Sequence, residues 1–123
     1  MALILKNLEM YLSPSKMIII DYFHLNAISI LKALLNSPQP PLVVDVREPF
    51  EMAHGIIPGA VPMPMNTIPH RLSELPLDKT IVAYCHLGER SWMVAQYLAR
   101  QGFANVKSLA GGIEAWNKTQ QVL

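Results

Sequence analysis

Two short apolar runs, Leu42-Val43-Val44-Asp45-Val46 and Thr80-Ile81-Val82-Ala83-Tyr84, constrain the fold more than any other feature of the chain. Each is too short for a buried helix and apolar at consecutive rather than alternate positions. Strands of that kind are covered on both faces, as in parallel sheets flanked by helices. Helical patterns surround them. Apolar residues at 27, 28, 31, 34 and 35 form a stripe that Asn36 and Ser37-Pro38 close. Ser91 to Gln101 is the clearest helix, with Ser91 at its start, Val94, Tyr97 and Leu98 on its inner face and Gly102 just past its end. Ile113 to Lys118 reads as a last helix, Pro69 to Leu75 as a short one, and Arg47 to Met52 as a short helix or turn with Pro49 near its start. Ile18-Ile19-Ile20, a short strand within 55–64, and Val106 to Leu109 complete a central, mainly parallel sheet of about five strands. The expected architecture is α/β, a three-layer α/β/α sandwich.

Composition narrows the function classes. Of the 123 residues, 51% are hydrophobic and 15% charged, which excludes disorder as a description of the whole. A net charge of +1 offers no field for a polyanion, so a nucleic-acid partner is not expected. No apolar run approaches the roughly 20 residues that cross a bilayer, so a membrane partner is not expected either. The N-terminus has no basic segment and no small-residue cleavage pattern, and Lys6 and Glu9 interrupt it. A cytoplasmic, monomeric protein is the expectation. Residues 1–16 read as an N-terminal extension, with Leu3, Ile4, Leu8 and Leu12 at near-helical spacing ahead of Ser13-Pro14-Ser15. A short amphipathic helix docked on the domain or on a partner, a frayed tail, and residues upstream of a functional start at Met17 are all open readings of it. Residues 17–123 form the domain.

In open α/β sheets ligands bind beyond the carboxyl ends of strands. That rule singles out Cys85-His86-Leu87-Gly88-Glu89-Arg90, which leads from a buried strand into the clearest helix. The unpaired N–H groups of a first helical turn point into such a loop, and the helix dipole adds partial positive charge. Arg90 adds a permanent charge. Gly88 permits a positive φ that curls the backbone round the sulfur. Together these features favour Cys85 as a thiolate, the nucleophilic form. The single cysteine forms no internal disulfide. His24, His54, His70 and His86 show no metal-ligand spacing, so no metal and no cofactor are expected. Met63 and Met65 read as packing residues rather than soft ligands.

These residues carry a resemblance. Leu42-Val43-Val44-Asp45-Val46-Arg47-Glu48 is similar to the "DVRE" strand of the rhodanese homology family, and Gly55-Ile56-Ile57-Pro58-Gly59-Ala60 to its "GHIPGA" segment. Tyr84-Cys85-x-x-Gly88-x-Arg90-Ser91 matches its active-site loop, and Leu109-Ala110-Gly111-Gly112-Ile113-x-x-Trp116 its closing motif. The resemblance covers roughly residues 17–119. It implies a rhodanese-like domain at 17–123 and a sulfurtransferase with Cys85 as persulfide carrier. His86, Leu87, Gly88, Glu89 and Arg90 are then the substrate-binding loop, with Asp45, Arg47 and Ser91 in support. Asp45 and Arg47 mainly hold neighbouring loops. Ile56 stands where the family usually has histidine, a departure that bears on local packing more than on chemistry.

By the same resemblance the partners are a small sulfur donor such as thiosulfate and a thiol acceptor. With only His86 and an opposing Glu89 in the loop, weak thiosulfate affinity is expected, and a protein persulfide is a further candidate donor. His86 reads as solvent-facing, and Glu89 as interacting with Arg90 or with the helix N-terminus. A reading of a different class is a persulfide-carrier or regulatory protein-binding module with little small-molecule turnover. A phosphatase ranks below both, because four residues stand between Cys85 and Arg90 where the related phosphatases have five, and a phosphate needs the wider cradle.

Overall fold

The computed structural model describes the backbone of residues 17–121 and the side chains of 26–120; the proposed extension at 1–16 lies outside the described residues. The order of elements is α1 (Met17–Leu35), β1 (Leu42–Asp45), α2 (Pro49–Met52), β2 (Val61–Pro62), two 3-10 segments (Met65–His70 and Leu72–Glu74), β3 (Ile81–Tyr84), α3 (Glu89–Arg100), β4 (Val106–Ser108) and α4 (Gly112–Gln121). All strand pairs are parallel, in the spatial order β2-β1-β3-β4.

The two apolar runs lie side by side, with Leu42 opposite Ile81 and Asp45 opposite Tyr84. Their side chains divide between the faces, as the pleat requires. Val43, Val82 and Tyr84 pack with Ala27, Ile28 and Leu31 of α1 and Ala115 and Trp116 of α4. Val44, Ile81 and Ala83 pack with Val94, Ala95 and Leu98 of α3. Both faces are therefore covered, and the chain forms the expected α/β/α sandwich. Each fully buried valine, leucine or isoleucine in these layers contributes roughly 1.5–3 kcal/mol. Among the described residues, no helix is long and apolar enough to cross a membrane.

Three local expectations are corrected. Ile18-Ile19-Ile20 lies in the first turns of α1 and not in a strand, so among the described residues the sheet has four strands. β-branched residues lower helix propensity by only a few tenths of a kcal/mol each, whereas every residue added to an existing helix gains a hydrogen bond. Pro69 to Leu75 is no α-helix but parts of the two 3-10 segments, the first of which contains Pro69; that proline has no N–H to continue an α-helical ladder. Helix α3 begins at Glu89 with Gly88 as its N-cap, so Ser91 is a third-position residue rather than the start. Its buried face is Ser91, Val94, Ala95 and Leu98, while Tyr97 is half-buried.

The sheet order places the functional end. The chain leaves β1 in one direction for β2 and in the other for β3, so the order reverses between β1 and β3. Beyond their carboxyl ends lies the topological switch point, where such sheets open a crevice. Arg47 and Cys85 both stand there.

Candidate active site

Cys85 directly follows β3, and the strand alternation turns its side chain toward α3 and away from solvent; the residue is 1% exposed. Its Sγ accepts hydrogen bonds from the Gly88 amide at 3.1 Å and the Ser91 amide at 3.4 Å. The Ser91 hydroxyl lies 3.6 Å away. Gly88 has φ +128°, a conformation costly to any residue with a Cβ, and this is what folds the loop back over the sulfur. The amides of Glu89 and Arg90 belong to the same first turn of α3, which offers them no intrahelical acceptor. Donors and the positive end of the helix dipole thus converge on one sulfur atom.

The loop carbonyls point the other way. Cys85 O accepts from the Ile113 amide at 2.9 Å and His86 O from the Glu114 amide at 3.2 Å. The first turn of α4 thereby uses its own free amides to hold these two carbonyls of the loop. Ser91 Oγ sits 2.7 Å from Ser108 Oγ and 3.1 Å from Gly88 O, which anchors the loop to β4. Above Sγ is a pocket of about 80 Å³ lined by Cys85, His86, Leu87, Glu89 and Arg90. It has room for a few atoms only.

Arg90 does not pair with Glu89. Its Nη1 and Nη2 donate to Glu51 Oε1 and Oε2 at 2.7 and 2.9 Å, a bidentate pair between α3 and α2. Glu89 occupies the first position of α3, where the dipole favours its charge. The hydrogen bonds from Arg90 hold the Glu51 carboxyl at about 2, against an ordinary 4.5, and the same pair raises Arg90 above its usual value. The pair stabilises the fold fully above pH about 4.5, and the contribution is lost as pH falls toward 2. We expect the Tm difference between wild type and Glu51→Gln to be constant from pH 8 to pH 5 and to shrink below about 4.5. A pH series of thermal melts checks it.

Behind the loop lies a buried frame. Arg47 donates to Asp45 at 2.7 Å, to Gly55 O at 2.8 Å and to Glu51 O at 3.2 Å. The Tyr84 hydroxyl donates to Asp45 Oδ2 at 2.7 Å and accepts from the Ile57 amide at 3.0 Å. Burial, then the bond to Asp45, raises the Tyr84 hydroxyl well above its ordinary value, so it keeps its proton. Neither Asp45 nor Arg47 lines the sulfur pocket. With Tyr84 they tie β1, α2 and the 55–57 segment together. Tyr84→Phe leaves the Ile57 amide without this acceptor and removes one donor from Asp45. It should cost about 1–3 kcal/mol in denaturant unfolding.

The remaining expectations divide. His86 is half-exposed, as read, and its Nε2 lies 2.6 Å from Glu114 Oε2 on α4 rather than on the sulfur. Leu87 is exposed at the rim. Ile56 is also exposed, beside the residue that Tyr84 holds. Sequence reasoning missed Glu51, Tyr84, Ser108 and Glu114. Only Glu51 had a local signal: it stands three residues after Glu48, and the two form a capping box at the start of α2.

Comparisons with known proteins point to one family. A family model described as a Rhodanese-like domain matches residues 27–119. A sulfurtransferase of Allochromatium vinosum is 45% identical over 86 residues, covering 70% of this chain and 80% of that protein. The thiosulfate sulfurtransferase GlpE of Stutzerimonas stutzeri is 36% identical over 78 residues, covering 63% and 72%. Among solved structures, the human single-domain sulfurtransferase TSTD1 aligns with a TM-score of 0.69 at 25% identity, covering 73% of this chain and 91% of that one.

Proposed function

Since the chain belongs to the rhodanese-like family, we propose that it is a sulfurtransferase that carries a sulfane sulfur as a persulfide on Cys85. The observation that carries the reading is the convergence of the Gly88 and Ser91 amides on Sγ inside a pocket of about 80 Å³. Donors at that distance are placed to hold negative charge on a sulfur atom, first Sγ and then the terminal sulfur of a persulfide.

The reaction is a double displacement. The Cys85 thiolate attacks the outer sulfur of thiosulfate; a new S–S bond forms as the donor's S–S bond breaks, and sulfite leaves with the electron pair. An acceptor thiolate then attacks the outer sulfur of the Cys85 persulfide, and Cys85 leaves as thiolate. No external oxidant or reductant enters either step. The first turn of α3 supplies fixed positive dipoles throughout, so little reorganisation accompanies charge movement. The small pocket and the four-residue spacing between Cys85 and Arg90 argue against a phosphate ester as substrate. A second reading, a persulfide carrier with little turnover on small donors, draws support from the engagement of Arg90 by Glu51, which diminishes its use as an anion anchor.

The test is the intact mass of the reduced protein after incubation with thiosulfate. A gain of one sulfur, removed by a thiol or by cyanide, supports the enzyme reading. A gain only with a persulfidated protein donor supports the carrier reading. Absence of any gain from a folded protein with a titratable thiol would sink both.

A further inference from the structure

Arg90 is the only unburied cation among the residues lining the sulfur pocket, and Glu51 engages it from α2. The other formal charges at the mouth are carboxylates. Glu89 lines the pocket itself. Glu51 and Glu114 line an adjoining cleft of about 300 Å³, together with Phe50, His54 and His86. Arg47 also reaches this cleft, but Asp45 closes its charge at 2.7 Å. Three carboxylates therefore surround the approach to Cys85 against one guanidinium, with two histidines at the border. A dianion entering here meets repulsion, and its natural anchor is already held in two places.

We propose that Glu51 is a positioning residue that sets the charge preference of the site: by holding Arg90, it disfavours dianionic sulfur donors and leaves the site to donors of lower negative charge. The inference rests on the sulfurtransferase reading and adds the class of donor to it. Glu51 acts through Arg90 and touches no reacting atom. Freed of Glu51, the guanidinium has its fork of donors available to an incoming anion, and one negative charge leaves the mouth.

The test uses two donors with the same reacting bond. Thiosulfate is a dianion and methanethiosulfonate a monoanion. In both, Cys85 Sγ forms a new S–S bond to the outer sulfur while the donor's bond to its oxidised sulfur breaks. Sulfite or methanesulfinate leaves with the electron pair. The quantity read is the ratio of kcat/KM for thiosulfate to that for methanethiosulfonate, with one acceptor thiol at fixed concentration. Glu51→Gln should raise this ratio roughly tenfold at low ionic strength, mainly through KM for thiosulfate. Glu51→Asp keeps the charge and should leave the ratio near that of wild type. Independently, adding salt to the wild type should raise the ratio, because screening relieves the repulsion of the dianion more than that of the monoanion.

An unchanged ratio in a folded Glu51→Gln variant, or an equal loss on both donors, overturns the role of Glu51 and leaves the sulfurtransferase reading intact. Where Glu51→Gln does not fold, a wild-type ratio that falls with salt overturns the inference by itself. If neither donor adds sulfur to the wild-type protein, the small-donor premise falls, and the inference with it.

Discussion

Replacing Cys85 with serine is expected to abolish sulfur transfer while leaving the fold in place. Serine is close to cysteine in size, and its hydroxyl can accept from the Gly88 and Ser91 amides that now serve Sγ. Stability should change by no more than about 1–2 kcal/mol. Activity is a different matter. A serine hydroxyl is protonated at neutral pH and cannot store a sulfane sulfur reversibly, and the histidine that lines the pocket, His86, lies against Glu114 rather than against residue 85. Turnover should fall by at least about four orders of magnitude, the scale on which loss of a nucleophile is felt. The intact mass after thiosulfate should show no added sulfur. Turnover within tenfold of wild type, from a preparation shown free of wild-type protein, would remove Cys85 from the mechanism.

Gly112→Ala should damage both fold and function from a position that never touches substrate. Gly112 opens α4 with φ +55°, in the left-handed region. A Cβ built there overlaps Cys85 O and His86 O. Both oxygens are backbone, held by the Ile113 and Glu114 amides, so neither can swing aside as a side chain would. The loop or the start of α4 must move. Left-handed backbone alone costs roughly 1–2 kcal/mol in a residue with a Cβ, and the two contacts add to it, for a total of about 3 kcal/mol or more. A domain of this size loses roughly 4–8 °C of Tm per kcal/mol, so a fall beyond about 10 °C is expected. Because the displaced atoms are the carbonyls of Cys85 and His86, kcat should fall in the surviving folded fraction as well. A variant with wild-type Tm and wild-type kcat would mean that the loop is not held from α4.

Legibility in the sequence followed distance along the chain. The runs at 42–46 and 80–84 announced themselves because burial on both faces leaves only Asp45 and Thr80 to dilute the pattern. The cysteine loop was legible for a similar reason: Cys85, Gly88, Arg90 and Ser91 lie within seven residues, and strand end, glycine and helix start have fixed mutual geometry. Ile18-Ile19-Ile20 misled because three β-branched residues speak weakly against a helix that continues from a strong stripe. Ser91 misled because serine is a good cap, yet here the cap is Gly88, whose φ of +128° suits the tight turn under the sulfur, and the serine hydroxyl is instead buried against Ser108.

By itself the sequence determined the alternation of elements, the two-sided burial of the central strands, and the delivery of one cysteine to the mouth of a helix. All of these depend on neighbours along the chain, where backbone hydrogen bonding and side-chain period leave few alternatives. The tertiary structure alone decided which charges meet. The parallel register sets Asp45 opposite Tyr84, so that α2 and the cysteine loop leave the sheet side by side. That placement brings Glu51 to Arg90 across 39 positions, and the docking of the first turn of α4 on the loop brings Glu114 to His86 across 28. Such pairs have no local signature, because a carboxylate at Glu51 fits its own helix cap equally well whether or not a guanidinium waits across the sheet.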